Sequence, residues 1–253
     1  MKIVVIGGTG LIGGPLVGLL QAKSHEVVVA SPSRGIDALT GTGVAAALTN
    51  AAVVVDVSNA PSFEDAAALA FFRGTTSNLV DTARKSGVRH FIALSVVGTD
   101  RLQGSGYFRA KLAQEQLIAA GGVPYTIVRA TQFFEFLSTI ADGYTRDDTV
   151  YLPSVPLQPI AAADVSALLA EFVTAAPANG IVEVAGSEQA PLAEFTASWL
   201  GARDDPRRIS ITTERDYFGA PADDRTLIPG EQAHIAPTRF DAWLAAQSQD
   251  KAA

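Results

Sequence analysis

Lys2-Ile3-Val4-Val5-Ile6-Gly7-Gly8-Thr9-Gly10-Leu11-Ile12-Gly13-Gly14 decides the reading of this chain. Four consecutive β-branched residues without polar alternation suit a strand covered on both faces, as in a parallel sheet. Glycines then recur at 7, 10 and 13, and an apolar helical pattern follows through Leu11, Ile12, Leu16, Leu19 and Leu20. The first glycine allows a tight turn. The second lets backbone approach a pyrophosphate, and the third lets a helix pack closely on the strand. A helix N-terminus at that point offers free N–H groups and the positive end of its dipole to phosphates. A glycine triplet is weak evidence alone; its position between a strand and a helix gives it weight.

Outward from this turn the pattern repeats. Strands are predicted at Lys2–Ile6, Glu26–Ala30, Ala52–Val57, His90–Leu94, Tyr125–Arg129 and Ile181–Val184, and helices at Leu11–Gln21, Phe63–Lys85, Gly106–Ala120 and Asp164–Thr174. Ser86-Gly87 and Gly121-Gly122 mark helix ends. Strand–helix alternation implies right-handed βαβ units and an α/β, doubly wound, Rossmann-like parallel sheet. From about residue 131 prolines break the pattern into short pieces. Residues 1–253 are read as one domain, in which about 131–253 contributes a small substrate-side lobe.

Composition narrows the function classes. The chain has 253 residues, 48% hydrophobic and 18% charged, with a net charge of −7. An acidic chain whose basic residues are scattered does not suit nucleic acid. The absence of cysteine excludes disulfides, thiolate catalysis and cysteine-held metal. His25, His90 and His234 are too dispersed to suggest a metal site. The N-terminal apolar run is too short for a signal peptide or a membrane span, so a cytoplasmic protein without membrane association is expected, as a monomer or homodimer.

At the tip of the second strand no acid is present to bond a ribose hydroxyl. Ser31, Ser33 and Arg34 stand there instead, and a guanidinium suits a 2′-phosphate. NADP(H) is therefore the expected cofactor. The third strand ends Asp56-Val57-Ser58-Asn59, at the edge where open α/β sheets bind ligands. Ser58 and Asn59 serve either the turn or the cofactor, and Asp56 is read as structural.

The fourth strand ends in Ser95, and the next helix carries Tyr107-Phe108-Arg109-Ala110-Lys111. Residues i and i+4 share a helix face. Lys111 is thus expected to lower the Tyr107 hydroxyl pKa, with Ser95 bonding a substrate carbonyl and Tyr107 giving the proton.

Taken with Val88–Ser95 and Tyr125–Phe134, these segments resemble an atypical short-chain dehydrogenase/reductase of the NmrA-like NAD(P)-binding group, over nearly the whole chain. The resemblance implies the fold and NADP(H) binding through Gly7, Thr9, Gly10, Leu11, Ile12, Gly13, Ser31, Ser33, Arg34, Val57, Ser58, Asn59 and Lys111. It places Ala130, Thr131, Gln132 and Phe133 beside the nicotinamide. Phe133, Phe134 and Phe136 are candidates for an apolar pocket, with Phe136 read as ordinary core. Members of the group include reductases of quinones, double bonds or carbonyls, and redox-sensing regulators without turnover. The expected function is an NADPH-dependent reductase of a small apolar quinone, enone or ketone. The alternative is a non-catalytic NADP(H) sensor acting through a protein partner.

Overall fold

The computed structural model describes residues 1–250. β1 (Lys2–Ile6) leads through the glycine turn into α1 (Gly13–Ala22), β2 (Glu26–Ala30), the short α2 (Val44–Leu48), β3 (Val53–Asp56), the long α3 (Asp65–Lys85), β4 (His90–Val96), α4 (Gly106–Ala120) and β5 (Tyr125–Ala130). Beyond β5 come α5 (Leu137–Gly143), β6 (Thr145–Arg146), β7 (Thr149–Pro153), β8 (Pro156–Leu157), α6 (Ala162–Phe172) and β9 (Gly180–Ala185). The chain closes with β10 (Ala190–Pro191), α7 (Leu192–Gly201), β11 (Arg208–Thr212), β12 (Asp216–Tyr217), β13 (Ala220–Pro221), β14 (His234–Ile235) and α8 (Phe240–Asp250).

Seven strands form one parallel sheet in the order β14-β9-β5-β4-β3-β1-β2. The chain steps from β1 outward to β2, then crosses back to β3. The strand order therefore reverses between β1 and β3, and a crevice opens above their carboxyl ends. The six expected strands are present with ends shifted by two residues at most. The first helix begins at Gly13 rather than Leu11, which leaves Leu11 exposed on the turn.

Alternation along each strand supplies two cores. Ile3, Val5, Val53, Val55, Ile92 and Val128 meet Leu16 and Leu20 of α1 and Val165 and Leu169 of α6 on one face. Val4, Ile6, Val54, Phe91 and Ile127 meet Leu48, Leu79 and Ile118 on the other. Each such side chain contributes roughly 1.5–3 kcal/mol when fully buried. Arg84 and Lys85 in the last turn of α3 complement its dipole, and Gly87 with φ +69° then turns the chain toward β4.

A third core holds the C-terminal half together. Phe134, Leu137, Ile140, Leu152, Trp199, Tyr217 and Phe240 pack with Leu102 and Phe108 from the first half. Phe108 opens α4, so this lobe is seated against the helix that carries Tyr107 and Lys111. No helix among the described residues is long and apolar enough to cross a membrane.

Candidate active site

The carboxyl ends of the strands and the lobe enclose a cavity of about 1130 Å³. At one end lies the glycine turn. Gly7 has φ +75°, a conformation that favours glycine, and a Cβ there would lie 3.0 Å from the backbone of Ser58. A Cβ on Gly13 would sit 2.2 Å from the Gly7 carbonyl oxygen, so this glycine is fixed by how closely the helix approaches the turn. Gly10 differs: its Cβ would meet only the Gly7 oxygen, at an ordinary 3.4 Å. The protein's own packing does not require glycine at 10, which lies on the cavity wall. Gly10 N–H donates to Gly7 at 3.0 Å and Gly14 N–H to Gly10 at 2.9 Å. The amides of Leu11, Ile12 and Gly13 between them make no backbone hydrogen bond, which leaves donors for an anion at the start of α1.

Of the residues expected at a cofactor, Gly7, Thr9, Gly10, Leu11, Ile12, Ser31, Val57, Ser58, Asn59, Lys111, Ala130, Thr131, Gln132 and Phe133 all line the cavity. Gly13, Ser33 and Arg34 do not. Gly13 is covered by the turn itself. Ser33 bonds Ser31, Oγ to Oγ at 3.0 Å, and Arg34 is exposed on the 3₁₀ turn Pro32–Arg34, making no ion pair among the described residues. Asp37 lines the cavity beside them and was not expected there; its carboxylate already accepts the amides of Leu39 at 2.8 Å and Thr40 at 3.4 Å.

Asp56 is structural, as its sequence context suggested. It is buried and accepts the amide and hydroxyl of Ser58 at 3.0 and 2.6 Å and the amide nitrogen of Gln114 at 3.2 Å. Burial raises its pKa, while Ser58's two hydrogen bonds oppose the rise.

Ser95, Tyr107 and Lys111 of the expected catalytic constellation all line the cavity, and two of them make contacts that the sequence did not foretell. Ser95 is buried, and its hydroxyl donates to Glu115 Oε1 at 2.5 Å. Glu115 in turn takes a two-pronged ion pair from Arg129, at 3.0 and 2.7 Å, and Arg129 also reaches Asp100. Ser95 and Arg129 are register partners on β4 and β5, so both side chains meet α4 on the same face. Ser95 also lines the cavity, with its hydroxyl proton given to this buried network. Breaking such a pair by removing one partner typically destabilises by about 3–5 kcal/mol.

The second such contact is made by Lys111. Its ammonium donates to the Leu94 carbonyl at 2.8 Å and to Gln114 Oε1, and lies 4.4 Å from the Phe72 ring centre. Burial pushes its pKa down to about 8, against the pull of Asp56 and Glu115. The ammonium thus faces the strand end and helix layer. Tyr107 has no cation to lower its pKa; burial pushes its hydroxyl well above the ordinary value.

Tyr107 itself is firmly placed. A Cβ on Gly106 would fall 1.8 Å from Asp65 Oδ1, so glycine lets the start of α4 close onto α3, where Asp65 pairs with Arg109 at 2.6 Å. Rings of Phe63, Phe72 and Phe108 lie 5.2, 5.9 and 5.6 Å from that of Tyr107. Its hydroxyl donates to Asn59 Oδ1 at 3.1 Å.

At the other end the cavity is aromatic. Phe133, Phe136, Tyr217 and Phe218 line it. Phe136 is therefore a wall residue and not plain core, whereas Phe134 is core, packed on Phe240 and Trp243. Tyr217 and Phe218 had no signal in the sequence. Their hairpin is set by Tyr144, whose hydroxyl accepts the Phe218 amide at 2.9 Å and donates to the Asp216 carbonyl at 3.1 Å. Phe218 has φ +48°, a conformation that costs a bulky residue about 1–3 kcal/mol. The Thr131 hydroxyl is buried without a hydrogen-bond partner among the described residues, a group that costs roughly 1–3 kcal/mol when nothing satisfies it, and the buried Gln132 amide lies beside the Tyr217 hydroxyl and opposes the rise that burial gives its pKa.

A family model described as NAD(P)H-binding matches residues 7–176, which span the glycine turn and most of the residues that line the cavity. The chain belongs to this NAD(P)H-binding family. A 3-diazoavenalumate denitrifying reductase from Streptomyces is 28% identical over an alignment covering 80% of this chain and 82% of the relative. An NADPH-dependent quinone oxidoreductase from Escherichia coli superposes with a TM-score of 0.70 at 17% identity, covering 98% of this chain and 99% of that one. A short-chain dehydrogenase/reductase superfamily protein from Agrobacterium tumefaciens with bound NAD gives 0.72 at 16% identity, covering 100% and 97%. Family and fold agree with an NAD(P)H-binding Rossmann reading, and the residues present fit an NAD(P)(H) dinucleotide: an unhindered glycine at 10 on the cavity wall, and amides at the start of α1 without backbone partners among the described residues.

Proposed function

We propose that the protein is an NADPH-dependent reductase whose acceptor is a small, neutral aromatic or enone carbonyl compound, with quinones the preferred class. The observation that carries this is the lining of the cavity. Phe133, Phe136, Tyr217 and Phe218 give it an apolar end, and its one lining cation, Lys111, is turned into the helix layer. Asp37, Asp65 and Glu135 add negative charge to the wall. A phosphorylated or strongly anionic substrate finds no counter-ion there, whereas a flat neutral ring finds apolar surface.

Quinones are favoured over simple ketones by the state of Tyr107. Its hydroxyl is held by Asn59 and raised by burial, with no cation to help it release a proton. A reduced quinone is stabilised by aromaticity and takes its proton from water, so a weak acid suffices. Bound NADPH supplies the hydride at the strand ends. In this reading the turn from Gly7 to Ile12 holds the pyrophosphate, Arg34 meets the 2′-phosphate, and Ala130 to Phe133 face the nicotinamide side. The aromatic end orients the acceptor and excludes water. The relative named as a reductase supports reduction as the reaction class.

The test is NADPH consumption by the purified protein against a panel of benzoquinones, naphthoquinones, enones, aryl ketones and an aryl diazo compound. Turnover with quinones ahead of ketones is the expected result. NADPH binding without consumption by any acceptor would reject it.

A further inference from the structure

Three carboxylates stand on the cavity wall, and two of them are occupied within the protein. Asp65 pairs with Arg109 at 2.6 Å, and Asp37 accepts the amides of Leu39 and Thr40. Glu135 differs. Its Oε2 accepts the Ala162 amide at 3.1 Å, at the start of α6, while Oε1 has neither a hydrogen bond nor an ion pair among the described residues. Oε1 is not sealed in the interior either: Glu135 is only half-buried and holds no buried unpaired oxygen. Phe133 and Phe136 on either side of it line the aromatic end of the cavity, and so does Thr139. Thr139 is exposed, and its hydroxyl likewise makes no hydrogen bond among the described residues.

The backbone sets where this carboxylate stands. Glu135 lies in the 3₁₀ turn Phe134–Phe136. The Phe134 amide donates to the Ile160 carbonyl at 2.9 Å and the Ile160 amide to the Gln132 carbonyl at 2.9 Å, so the turn is stitched to the stretch that leads into α6. The side chain cannot swing away without leaving the amide of buried Ala162 unpaired. Thr139 follows four residues later, where the turn runs on into α5, a spacing that puts two side chains on one helix face. An acceptor oxygen held still, with a hydroxyl beside it and Lys111 turned away, suits a hydrogen-bond donor of a ligand, and a bond to a charged acceptor is among the stronger ones.

We propose that Glu135, with Thr139 beside it, selects acceptors that carry a neutral hydroxyl on the ring or on a short side chain, the hydroxyl donating to Glu135 Oε1. The assignment rests on the reductase reading for the identity of the ring and narrows the acceptor class within it. The rings of Phe136 and Phe218, 6.1 Å apart, lie alongside for the flat part of the acceptor. The same carboxylate repels an acceptor whose substituent is an anion.

Binding tests the selection without needing turnover. Protein loaded with NADP⁺ is titrated with 2-(hydroxymethyl)-1,4-naphthoquinone and with 2-ethyl-1,4-naphthoquinone, which share a shape and differ in one hydroxyl. The chain has no cysteine for either quinone to alkylate. The wild type should favour the hydroxymethyl compound by at least about tenfold, equivalent to 1.4 kcal/mol. Glu135→Gln still offers an oxygen to Ala162 and presents an amide nitrogen in place of Oε1. It should cut the ratio by at least about threefold, since a neutral bond replaces a charge-assisted one. The 2-(methoxymethyl) analogue, which can only accept, should bind this variant more tightly than it binds the wild type, a gain that a change in packing alone does not give. Thr139→Val should lower the ratio by a smaller factor; no change there removes Thr139 from the assignment. A wild-type ratio near one, or an unchanged ratio in folded Glu135→Gln, overturns the inference. Failure of the reductase reading looks different: no variant, nor the wild type, consumes NADPH, whatever happens to the ratio.

Discussion

The hydroxyl of Tyr107 donates to Oδ1 of Asn59 across 3.1 Å, joining the first turn of α4 to the loop that leaves β3. This bond, not the lysine one turn along the helix, is what the tyrosine proton meets. Tyr107→Phe removes it and keeps the ring against Phe63, Phe72 and Phe108. We expect quinone turnover to change far less than the roughly 10²–10⁴-fold that an effective general acid contributes. Steady-state kinetics of the variant decide this, and a loss in that range with quinones would make Tyr107 the proton donor.

Gly10→Val and Gly13→Val should separate ligand from fold. At position 10 the nearest protein atom to a new Cβ is 3.4 Å away; at 13 it is 2.2 Å away. Gly10→Val should therefore melt near the wild type yet bind NADPH at least about tenfold more weakly, some 1.4 kcal/mol by calorimetry. Gly13→Val should be poorly folded. A folded Gly10→Val with unchanged NADPH affinity would remove the turn from the cofactor site.

Arg34 is exposed on the turn after β2 and unpaired among the described residues, so it is available to a 2′-phosphate. Arg34→Ala should weaken NADPH by about 1.5–3 kcal/mol, the usual worth of a hydrogen bond to a charged group. NADH, which lacks the phosphate, should be nearly unaffected. Parallel titrations with the two nucleotides check this, and equal losses would remove the role.

His90 gives the fold a defined response to acid. It is buried, bonded to Thr126 at 2.8 Å, and burial lowers its pKa to about 4 from an ordinary 6.5. The native state keeps it neutral while the unfolded chain protonates it below pH 6.5. Stability is therefore full above pH 6.5 and falls as pH drops toward 4, by about 3 kcal/mol at 1.36 kcal/mol per pH unit. Denaturant titrations from pH 7 to 4.5 should show this slope in the wild type and a shallower one in His90→Gln. Equal slopes would assign the acid sensitivity to other groups.

The main strands were legible because buried parallel strands are written as runs such as Val53-Val54-Val55 and need no partner to be recognised. β14 was not: it is two exposed residues, defined only by pairing with Val184 and Ala185. Much of the cavity wall was legible too, since it follows strands at fixed offsets. Ser95 lines the cavity as its strand-end position suggests, but its bond to Glu115, twenty residues on, was not legible because nothing in strand position reveals a buried partner. Lys111 misled because helix spacing gives the face but not the direction of a long flexible side chain. Tyr217 left no trace, as its place depends on Tyr144, more than seventy residues earlier in the chain.

The three glycines of the first turn answer to different masters. Gly7 and Gly13 are demanded by the chain's own backbone, and any descendant that keeps the fold must keep them. In the proposed cofactor site, Gly10 answers only to what would sit against it. In a lineage that abandoned the dinucleotide, this position would drift to larger side chains while its two neighbours stayed fixed. Residue 10 alone thus separates, within a set of related folds, those still under selection for the ligand from those that retain only its scaffold.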